Sequence, residues 1–471
     1  MKQELIKKYF FNIFGILISR ISGFGRDFLL ARFLGASIYS DIFFVMIKLP
    51  SVFRTLFTEG TFNQSFLPNL AKTKRKGEFC VKILTIFISI LSLICLVVYI
   101  FSSFFTKLIA YGFSDDLQVL AAPLVGLNIW YLLIIFCASF LASLLNYKGR
   151  FFITSISASI FNFACMFAML IFKDLEKIEL LRMITYFILV SAFIQIFILT
   201  LALKDNLIFR SMIIFTRNLK QEFKSKISLK DFFKNFGSSL IGSSSSQLNS
   251  IIELALASSL ASASISYLNY STRLYQLPLA LIAIAFTQVF FPSLIAYIKQ
   301  GKIKNAISNI QKIFELMSFL LILAALTGYI LSEEIIKLLF ERGAFTHENT
   351  IECAKVLRLY ILCIVPLGLS RLFLAWINAN YLHSKAAKIS IISCFISIIS
   401  SLSLIKYFGI LAFCISANIC AWFILLAYLK VFSYSRFLGI LRPFIWLGII
   451  VFSIIFAYVL IYIKGFLNAI F

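Results

Sequence analysis

Charge is what this chain has least of. Only 14% of its 471 residues are Asp, Glu, Lys or Arg, while 61% are hydrophobic; an average soluble domain carries about 25% charged and 45–50% apolar residues. A soluble globular enzyme is therefore excluded. Proline and glycine are also scarce, at 7 and 19, which excludes collagen-like repeats, and 54 phenylalanines exclude a disordered chain. Histidine occurs twice, and the nine cysteines form no CxxC pair, so a Cys/His metal site is not expected. Cys80, Cys95, Cys137, Cys165, Cys353, Cys363, Cys394, Cys414 and Cys420 lie mostly in apolar runs and read as small packing residues. No GxxxxGK[ST] loop is present to power transport with ATP, and Gly23-Phe-Gly25 is a lone GxG inside an apolar run. The first apolar stretch is long, contains Arg20 and lacks a small-residue cleavage site, so no cleavable signal peptide is expected.

What is abundant is apolar runs of membrane-spanning length. A spanning helix takes about 20 apolar residues. About thirteen spans are expected, near residues 9–34, 38–65, 81–106, 119–147, 151–172, 183–203, 235–261, 264–298, 305–331, 354–380, 386–405, 409–429 and 441–463. With the amino terminus inside, the seven cytoplasmic segments hold 27 Lys/Arg against 5 acids, and the opposite segments hold 10 of each. That asymmetry is what the positive-inside rule expects. The net charge of +24 then faces the anionic inner leaflet, and no nucleic-acid partner is needed to explain it.

Of the charged residues inside the predicted spans, eight fall between residues 20 and 59: Arg20, Arg26, Asp27, Arg32, Asp41, Lys48, Arg54 and Glu59. A charge at mid-bilayer costs about 2.5–3.5 kcal/mol or more, so this hairpin is expected to line a water-filled cavity rather than face lipid. Arg20 and Asp27, and Asp41 and Lys48, are each seven residues apart, two turns along one helical face. The cationic excess suits a multiply charged anion, because arginine presents a planar fork matched to phosphate oxygens. Asp27, Asp41 and Glu59 are the acidic or gating members. Arg32 and Glu315 are expected to pair internally or snorkel. In the second half, Arg273 is expected to face the cavity, and Arg371 is a candidate second anion contact. Glu253, alone in an apolar helix, is a candidate cation or proton site or a counter-ion to Arg273.

The longest polar stretch, Lys204 to Lys234, divides the chain. The expected organisation is an amino-terminal lobe (1–204), a basic amphipathic linker (205–233), a second lobe (234–430) and additional spanning sequence (431–471). Leu219, Phe223 and Ile227 recur every four residues among lysines, as in a helix lying on a membrane surface. A weak internal repeat aligns Asp41–Pro50 with Asn269–Pro278, sharing Leu-Pro, and Phe66-Leu-Pro68 echoes Phe290-Phe-Pro292. Parallel six-helix repeats are a transporter design. The Gly/Ser-rich segment 237–246 reads as a close helix-packing face.

The run Arg20-Ile-Ser-Gly-Phe-Gly-Arg26-Asp27, with Ala31-Arg-Phe-Leu-Gly35-Ala36, Ser40-Asp41-Ile-Phe-Phe44 and Lys48-Leu-Pro50-Ser-Val-Phe-Arg54, resembles the MurJ/MviN family. Phe57-Thr-Glu59-Gly60 through Pro68 continues the match, and Tyr270-Ser-Thr-Arg273-Leu-Tyr-Gln-Leu-Pro278 resembles the family's second-half motif. The resemblance implies an all-α polytopic protein of about 13–14 spans, with two six-helix lobes around a central cationic cavity and further carboxy-terminal helices. It implies a flippase, not an enzyme, of the bacterial cytoplasmic membrane, with a cytoplasmic amino terminus. The implied cargo is lipid II, the undecaprenyl-pyrophosphoryl disaccharide-pentapeptide, moved from inner to outer leaflet by alternating access in a monomer without a cofactor. By resemblance Arg20, Arg26, Asp41, Arg54 and Arg273 occupy functional cavity positions, Glu59 matches an EG motif, and Glu253 matches an acidic position that some relatives use for sodium. Coupling to Na+, H+ or the membrane potential is left open. The rivals are a polysaccharide-unit flippase or multidrug/sodium antiporter of the same superfamily, and a membrane-embedded glycosyltransferase.

Overall fold

Residues 2–57, 61–217 and 229–470 are described by a computed structural model, in which every regular element is helical. Ten helical stretches are long and apolar enough to cross a membrane. They coincide with ten of the thirteen predicted spans. The other three predicted spans are also long helices, but carry the polar residues: α1 (Lys2–Leu34), α2 (Ile38–Phe57) with α3 (Thr61–Lys72), and α12 (Lys230–Ser258). The protein is thus an all-α polytopic membrane protein.

Two compact units divide the chain, Met1–Ser262 and Ala263–Phe471. The boundary lies after α12, not in the basic stretch that dominates the composition. The reason is a phenylalanine cluster. In the first unit α4 (Lys76–Ile100), α5 (Ser102–Ile109), α6 (Asp115–Asn128) and α7 (Trp130–Tyr147) follow α3. Phe62 and Phe66 of α3, Phe79 and Phe87 of α4, and Phe136 and Phe140 of α7 interleave their rings. Phe232 and Phe236 of α12 join them, Phe236 edge-on to Phe87 at 5.2 Å and Phe232 against Phe62 at 6.1 Å. Each such aromatic pair contributes about 0.5–1.5 kcal/mol beyond its buried area. The other end of α12 is held at Gly112, whose N–H donates to Ser258 Oγ at 3.1 Å. A Cβ on Gly112 would fall on the backbone of Ser259, so only glycine permits this approach.

The turn between α1 and α2 is closed by Gly35 in the left-handed region (φ 69°), its N–H donating to Ala31 O at 2.8 Å. Pro50 lies inside α2 and has no N–H for the carbonyl of Met46, four residues back. Asn128 Nδ2 donates to that carbonyl at 3.0 Å, ending α6 against the proline break. α8 (Phe151–Ser157), α9 (Ser159–Ile171) and α10 (Lys177–Leu203) complete this side, α8 and α9 packing on α1 and α10 on α7 and α9. α11 (Leu207–Arg217) buries Ile208, Met212 and Phe215, at positions i, i+4 and i+7, and packs on α4. The amphipathic positions Leu219, Phe223 and Ile227 lie outside the described residues.

The second unit begins with α13 (Ser264–Leu279), whose Pro278 precedes a π-turn at Ala280–Ile284 and then α14 (Ala285–Lys299). Pro50 and Pro278, the shared residues of the weak repeat, therefore both interrupt long helices. α15 (Ile303–Ile330), α16 (Ser332–Phe340), α17 (His347–Ile361), α18 (Ile364–Ala379), α19 (His383–Phe408), α20 (Leu411–Phe432), α21 (Tyr434–Ile440) and α22 (Pro443–Ile470) follow. Buried side chains of α13 to α15, α18 and α20 form one core around Phe314, Phe373 and Phe432. Glu315, expected to pair internally, does so: Arg442 Nε donates to its Oε1 at 2.7 Å, tying α22 to α15.

Candidate functional site

The polar hairpin sorts into one guanidinium that is locked and one that borders open space. Arg26 is 5% exposed and Asp27 1%. Arg26 Nε and Nη2 donate to Asp27 Oδ1 at 3.0 and 2.6 Å, and Nη1 donates to Asn162 Oδ1 at 3.2 Å. Asn162 Nδ2 in turn donates to Ser22 Oγ at 3.1 Å and to the Ser19 carbonyl at 3.3 Å, so α9 clamps α1. The guanidinium also lies 5.5 Å from the Phe161 ring centre. Arg26 and Asp27 do not line an open chamber as the sequence suggests. Adjacent residues of one helix neutralise each other where α9 covers them.

Phe161 packs on Tyr131 at 5.4 Å, and Tyr131 stands next to Arg54. Arg54, near the end of α2, lines a cavity of about 250 Å³ between α2, α3, α7, α8 and α10. Its walls carry Asn63, Tyr131, Ser139, Asn146, Thr154, Ser155, Ser157 and Gln195, and no carboxylate among the described residues. Tyr131 and Gln195 are 4% and 3% exposed, and the Tyr131 hydroxyl stands beside both Arg54 and Gln195. Asn63 and Asn146 accept from Ser143 Oγ and Thr154 Oγ1 at 2.5 and 2.9 Å. A guanidinium set among hydroxyl and amide groups gathers several donors in one place, which suits an oxyanion or water.

Lys48, six residues before Arg54 on α2, donates to Ser250 Oγ of α12 at 2.6 Å and interacts electrostatically with Glu253. Glu253, weighed from sequence as a counter-ion to Arg273, thus belongs to the first unit and acts on Lys48. Asp41 is buried in the first turn of α2. Arg20 is exposed although Asp27, on the same face two turns on, is buried. Arg32 is exposed beside Phe33. Glu59 lies outside the described residues. In the second unit Arg273 of α13 and Arg371 of α18 are both exposed, Arg371 within the electrostatic reach of Tyr275 and Tyr428.

Sequence reasoning missed Asn128, Tyr131, Asn162 and Gln195. It tallied formal charges, whereas an isolated amide or phenol in an apolar span is also costly to bury without a partner. That cost was the available signal. Among the described residues, no three His, Cys, Asp or Glu converge to hold a metal ion.

The chain resembles known proteins over nearly its whole length. The family model "Lipid II flippase MurJ" matches residues 30–470. A Helicobacter pylori (strain J99) protein named "Probable lipid II flippase MurJ" is 40% identical over 423 residues, covering 88% of this chain and 92% of that one. A protein of the same name from Buchnera aphidicola subsp. Schizaphis graminum is 29% identical, with 93% and 87% covered. Among solved structures, a lipid II flippase MurJ in an inward closed conformation superposes with a TM-score of 0.76 at 22% identity, covering 97% of this chain and 99% of that one. An inward-facing multidrug resistance MATE family transporter of the MOP superfamily gives 0.68 at 13% identity, covering 91% and 98%. The first-half motif, the polar hairpin within it and these matches agree, and the chain belongs to the lipid II flippase MurJ family.

Proposed function

We propose that this protein moves lipid II from the inner to the outer leaflet of the cytoplasmic membrane, and that Arg54 meets the pyrophosphate within the first unit. The observation that carries this reading is the placement of Arg54 on a polar cavity between helices, with no carboxylate among the described residues of its wall. A phosphate charge entering hydrocarbon bare would face an idealised cost of about 20 kcal/mol. A guanidinium fork with Tyr131 and Gln195 beside it offers donors in place of the lost water. Arg20, Lys48, Arg273 and Arg371 are assigned the same task of countering phosphate charge, and Arg26 with Asp27 the task of holding α1 in place. Asp41 and Glu59 stay assigned to gating, and Glu253 to modulating Lys48 as a proton or cation site.

The charge balance of the loops supports a cytoplasmic amino terminus. Inside-negative potential, worth about 2.3 kcal/mol per charge per 100 mV, supports outward movement of an anion without ATP. The structural likeness to MATE transporters raises a second reading, export of organic cations. A cation site calls for carboxylates, and the Arg54 cavity has none among the described residues of its wall.

The test is complementation of a flippase-depleted bacterium with Arg54→Ala and Arg54→Lys, scored by outer-leaflet labelling of lipid II at matched protein level. Loss of a charge-assisted hydrogen bond is worth about 1.5–3 kcal/mol, so Arg54→Ala should lower exposure at least tenfold and Arg54→Lys should recover part of it. Undiminished labelling in Arg54→Ala would remove Arg54 from the transport path.

A further inference from the structure

Carboxylates stop early in this chain: no Asp or Glu follows Glu352. Several later cations reach back for an acid. Lys355 pairs with Glu352, Arg358 with Glu333, Arg442 with Glu315 and Lys464 with Glu334. Lys385, Lys388 and Lys430 are different. All three are exposed, none has an ion pair among the described residues, and they border one groove of about 480 Å³.

The groove runs between α19 and α20, which are antiparallel neighbours and candidate membrane spans. Lys385 and Lys388 sit in the opening turns of α19, three residues apart and so on one face. Lys430 sits in the last turn of α20, at the same end of the helix pair. Away from the lysines the walls are apolar, with Ile389, Ile392, Phe423 and Leu426. Tyr434 closes the lysine end. The backbone turns sharply at Ser433 (φ 90°), and the Tyr434 hydroxyl donates to the Leu426 carbonyl at 3.2 Å. Three cations at the rim of an apolar furrow, at the ends of two spans, match a molecule with an anionic head and a hydrocarbon body.

We propose that this groove is a binding site for an anionic diacyl phospholipid of the surrounding membrane, with its phosphodiester against Lys385, Lys388 and Lys430 and an acyl chain along Ile389 and Leu426. The site is separate from Arg54 and does not depend on what the protein transports. Attraction of an anionic lipid surface is worth about fivefold per lysine, so three lysines give roughly a hundredfold preference over a zwitterionic lipid.

The test titrates the delipidated full chain with dioleoylphosphatidylglycerol or dioleoylphosphatidylcholine and counts bound lipid by native mass spectrometry. The wild-type chain should prefer the phosphatidylglycerol about a hundredfold, and the triple variant Lys385→Gln/Lys388→Gln/Lys430→Gln should bind both lipids alike. Lys406→Gln, at the far end of α19, should keep the full preference. Leu426→Trp, which fills the furrow and leaves the lysines, should weaken both lipids. If the triple variant cannot be purified, the three single variants replace it, each losing about fivefold. An unchanged preference in the lysine variants overturns the proposal. So does displacement of the lipid by equimolar inorganic phosphate, which would mark a site for free anions. Preferential capture of lipid II through the same lysines would make the groove a substrate site and overturn it as well.

Discussion

Replacing Arg26 by leucine tests whether its guanidinium serves the fold. The change leaves the Asp27 carboxylate, 1% exposed, without the cation that donates to it twice, and leaves Asn162 without its 3.2 Å donor. Breaking a buried ion pair from one side costs about 3–5 kcal/mol, whereas replacing both members by apolar residues is often neutral or stabilising. At about 2–4 °C per kcal/mol for a unit of this size, Arg26→Leu should lower the unfolding midpoint by roughly 6–20 °C. Arg26→Leu/Asp27→Leu should recover most of that loss. The assay is a thermal melt of the detergent-purified full chain, followed by the monodisperse fraction on size exclusion. A single variant that melts with wild type would refute the reasoning. So would a double variant no better than the single, since the penalty would then not be the broken ion pair.

Three further expectations follow from particular contacts. Asn128→Leu removes the side-chain donor to the Met46 carbonyl that Pro50 leaves open, and should destabilise the first unit by about 1–3 kcal/mol in the same melt. Gly112→Ala forces a methyl onto the Ser259 backbone and should cost about 1–3 kcal/mol, while Gly237→Ala, with nothing within 4 Å, should not. Glu341 lies in the turn before α17: burial pushes its carboxyl up, but hydrogen bonds from Thr350 and His347 and the charges of His347 and Lys337 outweigh it and hold it below the ordinary 4.5. A depressed carboxyl stabilises the fold above its unfolded value and loses that contribution as pH falls through the folded one. Hydrogen exchange of residues 341–346 should therefore stay slow at pH 5 and accelerate below about pH 4.5, and Glu341→Gln should abolish that pH dependence.

The spans were legible in the sequence because hydrocarbon imposes a length and a composition on any helix that crosses it. The three polar ones correspond to long helices, since α1, α2 and α12 keep apolar runs between their charges. The roles of single side chains were not legible. Arg26 and Arg54 are the same residue type in one motif, and what separates them is Asn162, 136 residues from Arg26, and a cavity assembled from five helices. The unit boundary was hidden for a related reason. Eight lysines and arginines between Lys204 and Lys234 dominate the local composition, but Phe232, Phe236 and Ser258 decide by contacts with α3, α4 and Gly112 that α12 joins the first unit.

The phenylalanine core of the first unit has an optical consequence. Of the four tryptophans, Trp376, Trp422 and Trp446 belong to the second unit, and Trp130 alone to the first. Phenylalanine contributes almost nothing to emission excited at the indole edge, so the rings that build the first unit are dark. Trp130 immediately precedes Tyr131 in the wall of the Arg54 cavity. A variant with the other three indoles changed to phenylalanine would carry one native fluorophore in the first unit, at the start of α7 against Tyr99 of α4, whose emission wavelength and quenching by iodide would report the surroundings of that helix end without an attached dye.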